Sequence, residues 1–212
     1  MKIKTFQGGY DDNLSYVISC NRTNKCAIVD ASVSSVSIIE YIESHNLFVD
    51  KILITHSHND HINFINEYTH YFPNALTFGH AINKGSYLTN KLENNQLITI
   101  GKEHLIAIYT PGHYLDSICY YDYNSKTLFS GDTIFVGRTG RVNSKGSNIR
   151  DLYNSVYRVI FKLPHDTIIY PGHHYGHKRS ISIKENIRIS NFFQCNSFKE
   201  FLNVMQNFEK SR

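Results

Sequence analysis

The chain has 212 residues, of which 41% are hydrophobic and 19% charged, so it can bury a core and is too apolar for a disordered segment. Twelve glycines, four prolines and four scattered cysteines exclude a collagen-like or disulfide-dense chain. Twenty-two Lys and Arg stand against 18 Asp and Glu, and the net charge of +4 is spread thinly, whereas a nucleic-acid binder concentrates basic charge on one face.

In chain order, residues 14–20 and 25–29 are short apolar runs around Asn21-Arg22-Thr23-Asn24, which predicts a hairpin. A helix is expected over 34–45, with Val36, Ile39 and Ile42 on its inner side. Residues 51–55 read as a strand buried under helices, ending abruptly at His56. A helix over 61–70 would turn Ile62, Ile65 and Tyr68 inward, and a strand follows near 75–78. Further strands are expected at 96–100, 104–109, 117–122 and 127–130. A polar loop, 137–148, leads into a helix over 149–162 with Leu152, Val156, Val159 and Ile160 inward. Residues 167–170 form another strand, and a mostly helical tail over 181–208 offers Ile187, Phe192, Phe201 and Val204 to the core. Strands covered by helices in both halves predict an α/β fold. Without a linker or low-complexity segment, residues 1–212 read as one domain.

Cys20, Cys26, Cys119 and Cys195 form no CxxC pair and read as free thiols of a reducing compartment. No apolar run is long enough for a membrane span, and the opening MKIKTFQGG carries no apolar leader. A cytoplasmic protein is the resulting expectation, with oligomeric state left open.

The unusual count is histidine, at twelve. Potential ligands cluster where apolar strands end: Asp30, His56-Ser57-His58-Asn59-Asp60-His61, His113, Asp132 and His173. Extended residues two apart project to one side, so His56 and His58 can reach one ion. Asp60 and His61, where the chain turns into a helix, can serve a neighbouring position. His113 and His173 each follow a Pro–Gly turn, and Asp132 lies between small neighbours in Ser130-Gly131-Asp132-Thr133. Several imidazoles with two carboxylates suit zinc, Fe(II) or manganese better than calcium or magnesium. Two such ions bridged by Asp132 would hold a hydroxide able to attack a carbonyl near neutral pH. Asp30 is expected to be a supporting carboxylate rather than a ligand. Arg138 to Lys145 reads as an anion-binding loop, with Arg141 and Lys145 as the cations for a substrate carboxylate.

These motifs resemble the metallo-β-lactamase superfamily: Thr55 to His61 fits THxHxDH, and Thr110-Pro111-Gly112-His113, Ser130-Gly131-Asp132-Thr133 and Tyr170-Pro171-Gly172-His173 fit its later ligand motifs. The resemblance implies a four-layer αββα sandwich with a metal site at one rim. It implies one metal on His56, His58 and His113, a second on Asp60, His61 and His173, and Asp132 shared, with Asp60 and Asp132 as catalytic carboxylates. Within the superfamily the chain is similar to glyoxalase II and its persulfide-dioxygenase relatives, through Phe135 to Arg141 and Leu163 to His173. That similarity implies a hydrolase of hydroxyacylglutathione-type thioesters with two divalent ions, zinc before iron or manganese, and Arg141 at the glutathione carboxylate. Departures are Asn143 at a position usually aromatic, Asp116 where many relatives have Gly, and no long C-terminal helical extension. Glu185, Arg188 and Asn191 resemble the persulfide-dioxygenase tail, although Phe192 stands in place of its Pro. The alternatives are therefore a glutathione persulfide dioxygenase with one Fe(II), and a metal-binding protein without catalysis.

Overall fold

The computed structural model describes residues 1–211. The first half of the chain runs β1 (Lys2–Gly8), β2 (Asn13–Ser19), β3 (Lys25–Val29), α1 (Ser35–Ser44), β4 (Phe48–Leu53), α2 (Asn59–Ile62), α3 (Ile65–Tyr71), β5 (Leu76–His80) and β6 (Asn90–Leu92). Its strands form a six-stranded sheet in chain order, antiparallel from β1 to β3 and parallel from β3 to β6. The second half runs β7 (Leu97–Ile100), β8 (Glu103–Tyr109), β9 (Ile118–Asp122), β10 (Thr127–Gly131), α4 (Ile149–Asn154), β11 (Ile168–Pro171), β12 (Ile181–Ser182), α5 (Ile183–Ile189) and α6 (Phe198–Lys210). This sheet is also six-stranded and in chain order, with β10 and β11 parallel and the other pairs antiparallel.

The strand alternation explains the layers. On β2, Leu14, Tyr16 and Ile18 face the opposite sheet and pack with Leu105, Tyr120 and Phe129, while Val17 points outward to Ile38 and Ile42 of α1. The outer face of the second sheet is covered by Leu152, Phe201 and Met205 of the helices, packed on Leu128 and Ile169. Helix, sheet, sheet and helix thus follow one another, the expected αββα sandwich.

Differences from the sequence reading are local. The strand β1 carries no apolar run, because as an edge strand it buries only one side of Lys2–Gly8. On α1 the inner face is Ser35, Ile38 and Ile42, and Val36 is 62% exposed. The core stripe is set by where the helix meets the sheet, and the two frames differ by one residue at their first two positions and share Ile42. The helix expected over 61–70 is two pieces, α2 and α3. The one expected over 149–162 is α4, capped by the Asn148 side chain, followed by a π-helical turn (Ser155–Val159) and a 3-10 turn (Ile160–Lys162). Leu152, Val156 and Ile160 are buried as expected, while Val159 is half-buried. Among the described residues, no helix is long and apolar enough to cross a membrane.

At one rim the two sheets are tied by backbone hydrogen bonds. Leu14 N–H donates to the Gly172 carbonyl at 2.7 Å, and Ile118 N–H donates to the Thr55 carbonyl at 2.8 Å. Strand ends from both sheets are thereby held beside one another.

Candidate metal centre

The seven ligand candidates come together at this rim. His56 and His58 follow β4, Asp60 and His61 lie on α2, His113 follows β8, Asp132 follows β10 and His173 follows β11. Three overlapping groups result: His56, His58 and His113; His56, His61 and Asp132; and Asp60, His61 and His173. Within each, the donor atoms lie within 4.8 Å of one another. His56 Nε2 and His113 Nε2 stand 3.0 and 2.9 Å from His58 Nδ1. His61 Nε2 and His173 Nε2 are 3.3 Å apart. Asp132 sits between the groups, Oδ1 at 3.2 Å from His61 Nε2 and Oδ2 at 3.5 and 3.3 Å from His113 and His173 Nε2.

The surroundings decide which nitrogen faces inward. The carbonyls of Arg141 and Asp11 can only accept, so His113 Nδ1 and His173 Nδ1 donate to them, at 2.9 and 2.6 Å. His61 Nδ1 donates to Asp30 Oδ2 at 2.8 Å. Each Nε2 is left to point into the centre, the arrangement in which outer partners orient metal-binding rings. Asp30, with φ at 58°, also accepts from Thr55 N at 2.7 Å and Thr55 Oγ1 at 2.8 Å. It therefore supports the ligand turn and is no ligand itself.

The donor set fits divalent cations. At 3.0 and 2.9 Å from His58 Nδ1, the Nε2 atoms of His56 and His113 cannot both be satisfied by the single proton of a neutral ring, whereas a cation between the three accepts all their lone pairs. Asp132 Oδ1 is buried, and no donor meets hydrogen-bond geometry at it. A buried carboxylate oxygen in that state calls for a positive partner, which is the protonated His61 ring at 3.2 Å and, once that proton is lost, a bound cation. Nitrogen and oxygen donors in these numbers make a dinuclear divalent site.

The site lies at the base of a cleft of about 550 Å³. Arg141 lines it; Lys145, on the same loop, is exposed but outside the lining. Several lining residues were not singled out as site residues in the sequence. Tyr175 stacks on the His173 ring, its hydroxyl donates to the Asp11 carboxylate, and the Arg138 guanidinium lies 3.9 Å from its ring centre. Asn13, beneath the cleft, donates from Nδ2 to Asp60 Oδ2 at 3.0 Å. The only sequence signal for Asn13 is its place after the Gly8-Gly9 turn.

The metallo-beta-lactamase superfamily model matches residues 8–173. The chain belongs to this superfamily. A hydroxyacylglutathione hydrolase of Pectobacterium carotovorum is 33% identical over 180 residues, covering 85% of this chain and 66% of that protein. The chain thus spans just under two thirds of the length of that relative. A probable polyketide biosynthesis zinc-dependent hydrolase, BaeB of Bacillus velezensis, is 29% identical over 207 residues, covering 95% of this chain and 90% of its own. The crystal structure of ETHE1 from Myxococcus xanthus superposes with a TM-score of 0.90 at 27% identity, covering 98% of this chain and 91% of that one.

In this superfamily member, charge divides the centre into two halves before any metal binds. Burial pushes His56 well below the usual histidine range, His58 below it and His113 down to about 4. Burial also works against charge on His61 and His173, but there Asp132 outweighs it, with Asp30 helping for His61 and Asp60 for His173. His61 is held well above the usual range and His173 rises to about 9. At neutral pH the first three rings are therefore neutral and the other two are cationic. Ligands must lose their protons to bind metal. Loading the His61 and His173 side is expected to release about one proton per ring, and its apparent affinity to rise with pH from neutrality through about 9, where His173 titrates, and beyond as long as His61 keeps its proton. The His56, His58 and His113 side should load near neutral pH with almost no release. Calorimetry of the metal-free protein in buffers of differing ionisation enthalpy measures this directly, and equal release on both steps would contradict it.

Close packing also fixes Gly172. A Cβ there would lie 2.3 Å from Asp132 Oδ1 and 2.6 Å from His61 Cε1. Gly172→Ala is expected to cost at least about a hundredfold in turnover, as displacements near 1 Å do at preorganised sites. Kinetics alongside metal content check this, and near-normal values for both would refute it.

Proposed function

We propose that the cleft is the active site of a metal-dependent hydrolase cleaving acyl thioesters of the hydroxyacylglutathione type. The observation that carries this is the pair of ligand triads meeting at Asp132 on the floor of an open cleft. The 33% identity to a hydroxyacylglutathione hydrolase supports the substrate class. His56, His58 and His113 would hold one divalent ion, and Asp60, His61 and His173 the other, with Asp132 common to both. Zinc is our first choice, with iron or manganese as alternatives, and when bound such ions polarise a carbonyl and make water nucleophilic at neutral pH.

The chain's own groups do the rest. Asp60 lines the cleft and is held by Asn13, so its carboxylate can accept a hydrogen from the attacking water and orient it. Asp132 balances positive charge at the floor. A thiol leaving group titrates near 8.5, so departure as thiolate needs no strong acid. Arg141, exposed at the cleft wall, offers a planar donor fork to a carboxylate remote from the reacting carbonyl. Arg141→Ala is expected to raise KM roughly tenfold with kcat little changed, because that contact is made equally in ground and transition states. A fall in kcat alone would reassign the residue.

We read residues 1–212 as one unit including the tail, supported by Phe201 and Met205 sharing a cluster with Leu128 and Ile169. A reducing, cytoplasmic setting is supported by four free cysteines.

The deciding assay is hydrolysis of S-lactoylglutathione and simpler thioesters after controlled metal loading. No turnover with any acyl thioester at full occupancy would defeat the proposal. A second reading, oxidation of glutathione persulfide at one Fe(II), is favoured by the 3.5 Å approach of His113 Nε2 to Asp132 Oδ2, which with His56 supplies two imidazoles and a carboxylate. Persulfide-dependent oxygen uptake after anaerobic iron loading would select it.

A further inference from the structure

The first triad draws its ligands from both sheets: His56 and His58 follow β4, and His113 follows β8. These rings meet only if the two turns keep a fixed separation. Besides the contact of the His58 and His113 rings, two hydrogen bonds cross directly between the turns. One is the backbone bond from Ile118 to Thr55. The other runs from Ser57 N–H, between the two ligand histidines, to Asp116 Oδ1 at 3.2 Å.

Asp116 is only 1% exposed, and its Oδ2 is buried with no hydrogen-bond partner. Such an oxygen is costly, and an apolar side chain of similar shape would fill the space without that penalty. Oδ1 therefore has a reason to be there. Its own turn is stiff: Thr110 N–H donates to the Ser117 carbonyl at 2.9 Å, Tyr114 N–H to Ser117 Oγ at 3.2 Å, and Tyr109 hydroxyl to the Leu115 carbonyl at 2.9 Å. The acceptor is thus presented from a rigid support. The second triad is oriented by other groups, namely Asp30 on His61, the Asp11 carbonyl on His173 and Asn13 on Asp60.

We propose that Asp116 is a positioning residue: by accepting the Ser57 amide hydrogen across the sheet boundary, it sets His58 against His113 and so fixes the metal affinity of that triad alone. This rests on the dinuclear reading of the centre.

The test is a Co²⁺ titration against a competing chelator, followed by visible absorption, on wild type, Asp116→Ala and Asp116→Asn. Asp116→Ala is expected to weaken one of two bound ions about 10–100-fold, and Asp116→Asn, which keeps an acceptor at Oδ1, by less than about threefold. The other ion should bind as in wild type. In the metal-free proteins, hydrogen exchange at the Ser57 amide should quicken in Asp116→Ala and not in Asp116→Asn. Asp116→Leu keeps the branched shape without the acceptor and replaces Asp116→Ala if that variant does not fold. Wild type that binds fewer than two Co²⁺ ions overturns the dinuclear reading together with this proposal. Wild type that binds two ions overturns the proposal alone in three cases: unchanged affinity in the acceptor-free variant, equal weakening of both ions, or Asp116→Asn as weak as Asp116→Ala. If neither acceptor-free variant folds, Asp116 has a general folding role and the selective one is refuted.

Discussion

Asp132→Ala is expected to lower kcat for the proposed thioester cleavage on the order of 10³-fold, since electrostatic stabilisation at such a centre is worth several kcal/mol and about 1.4 kcal/mol is tenfold. The carboxylate is buried and within 3.5 Å of His61, His113 and His173. Removing it takes the shared negative charge from the floor while every imidazole remains. Burial works against its charge, yet His173 and His61 hold it well below the usual carboxylate range, so it is ionised at neutral pH. Asp132→Asn keeps the shape and loses the charge, and should fall in the same direction by a smaller amount. Steady-state kinetics at saturating metal, with metal content measured on the same samples, separate a catalytic loss from a failure to load. Turnover within about tenfold of wild type at full occupancy would remove Asp132 from the centre of the mechanism.

Asp30→Ala should produce the largest loss of stability, about 3–5 kcal/mol, the range for breaking a buried charged network. Three donors, Thr55 N–H, Thr55 O–H and His61 Nδ1–H, would be left in the interior without an acceptor. The φ of 58° adds backbone strain for alanine that Asp and Asn tolerate. Asp30→Asn has one acceptor oxygen for three donors, so it should be intermediate in stability and lose the orientation of His61. Its affinity for the ion on the Asp60, His61 and His173 side is expected to drop about 10–100-fold. Urea unfolding should be run on metal-free protein, because bound metal adds its own linkage. A change under about 1 kcal/mol for Asp30→Ala would show that Thr55 and His61 find other partners.

Much of the site could be read along the chain because the chemistry is local. His56, His58, Asp60 and His61 lie within six residues, and His113, Asp132 and His173 each close an apolar run. Asp30 also stood out, as a carboxylate ending the second strand of the predicted hairpin. The groups that set the tautomers of His113 and His173 did not. The His113 and His173 partners are backbone carbonyls of Arg141 and Asp11, and a carbonyl leaves no trace in residue identity. Asn13 is an ordinary turn residue until β2 is laid beside His173, where the two form an isolated bridge.

The same division holds for the fold. Period-two patterns and strand-ending ligands determined the strands and the chemical character of the centre, because both follow from neighbours in sequence. The edge strand β1, the true inner face of α1 and the pairing of Asp132 with His173 were decided only when the sheets closed. Parallel register between β10 and β11 aligns Gly131 with Pro171, and so brings residues some forty positions apart to one rim. Convergence of that kind depends on strand order, which no local spacing encodes.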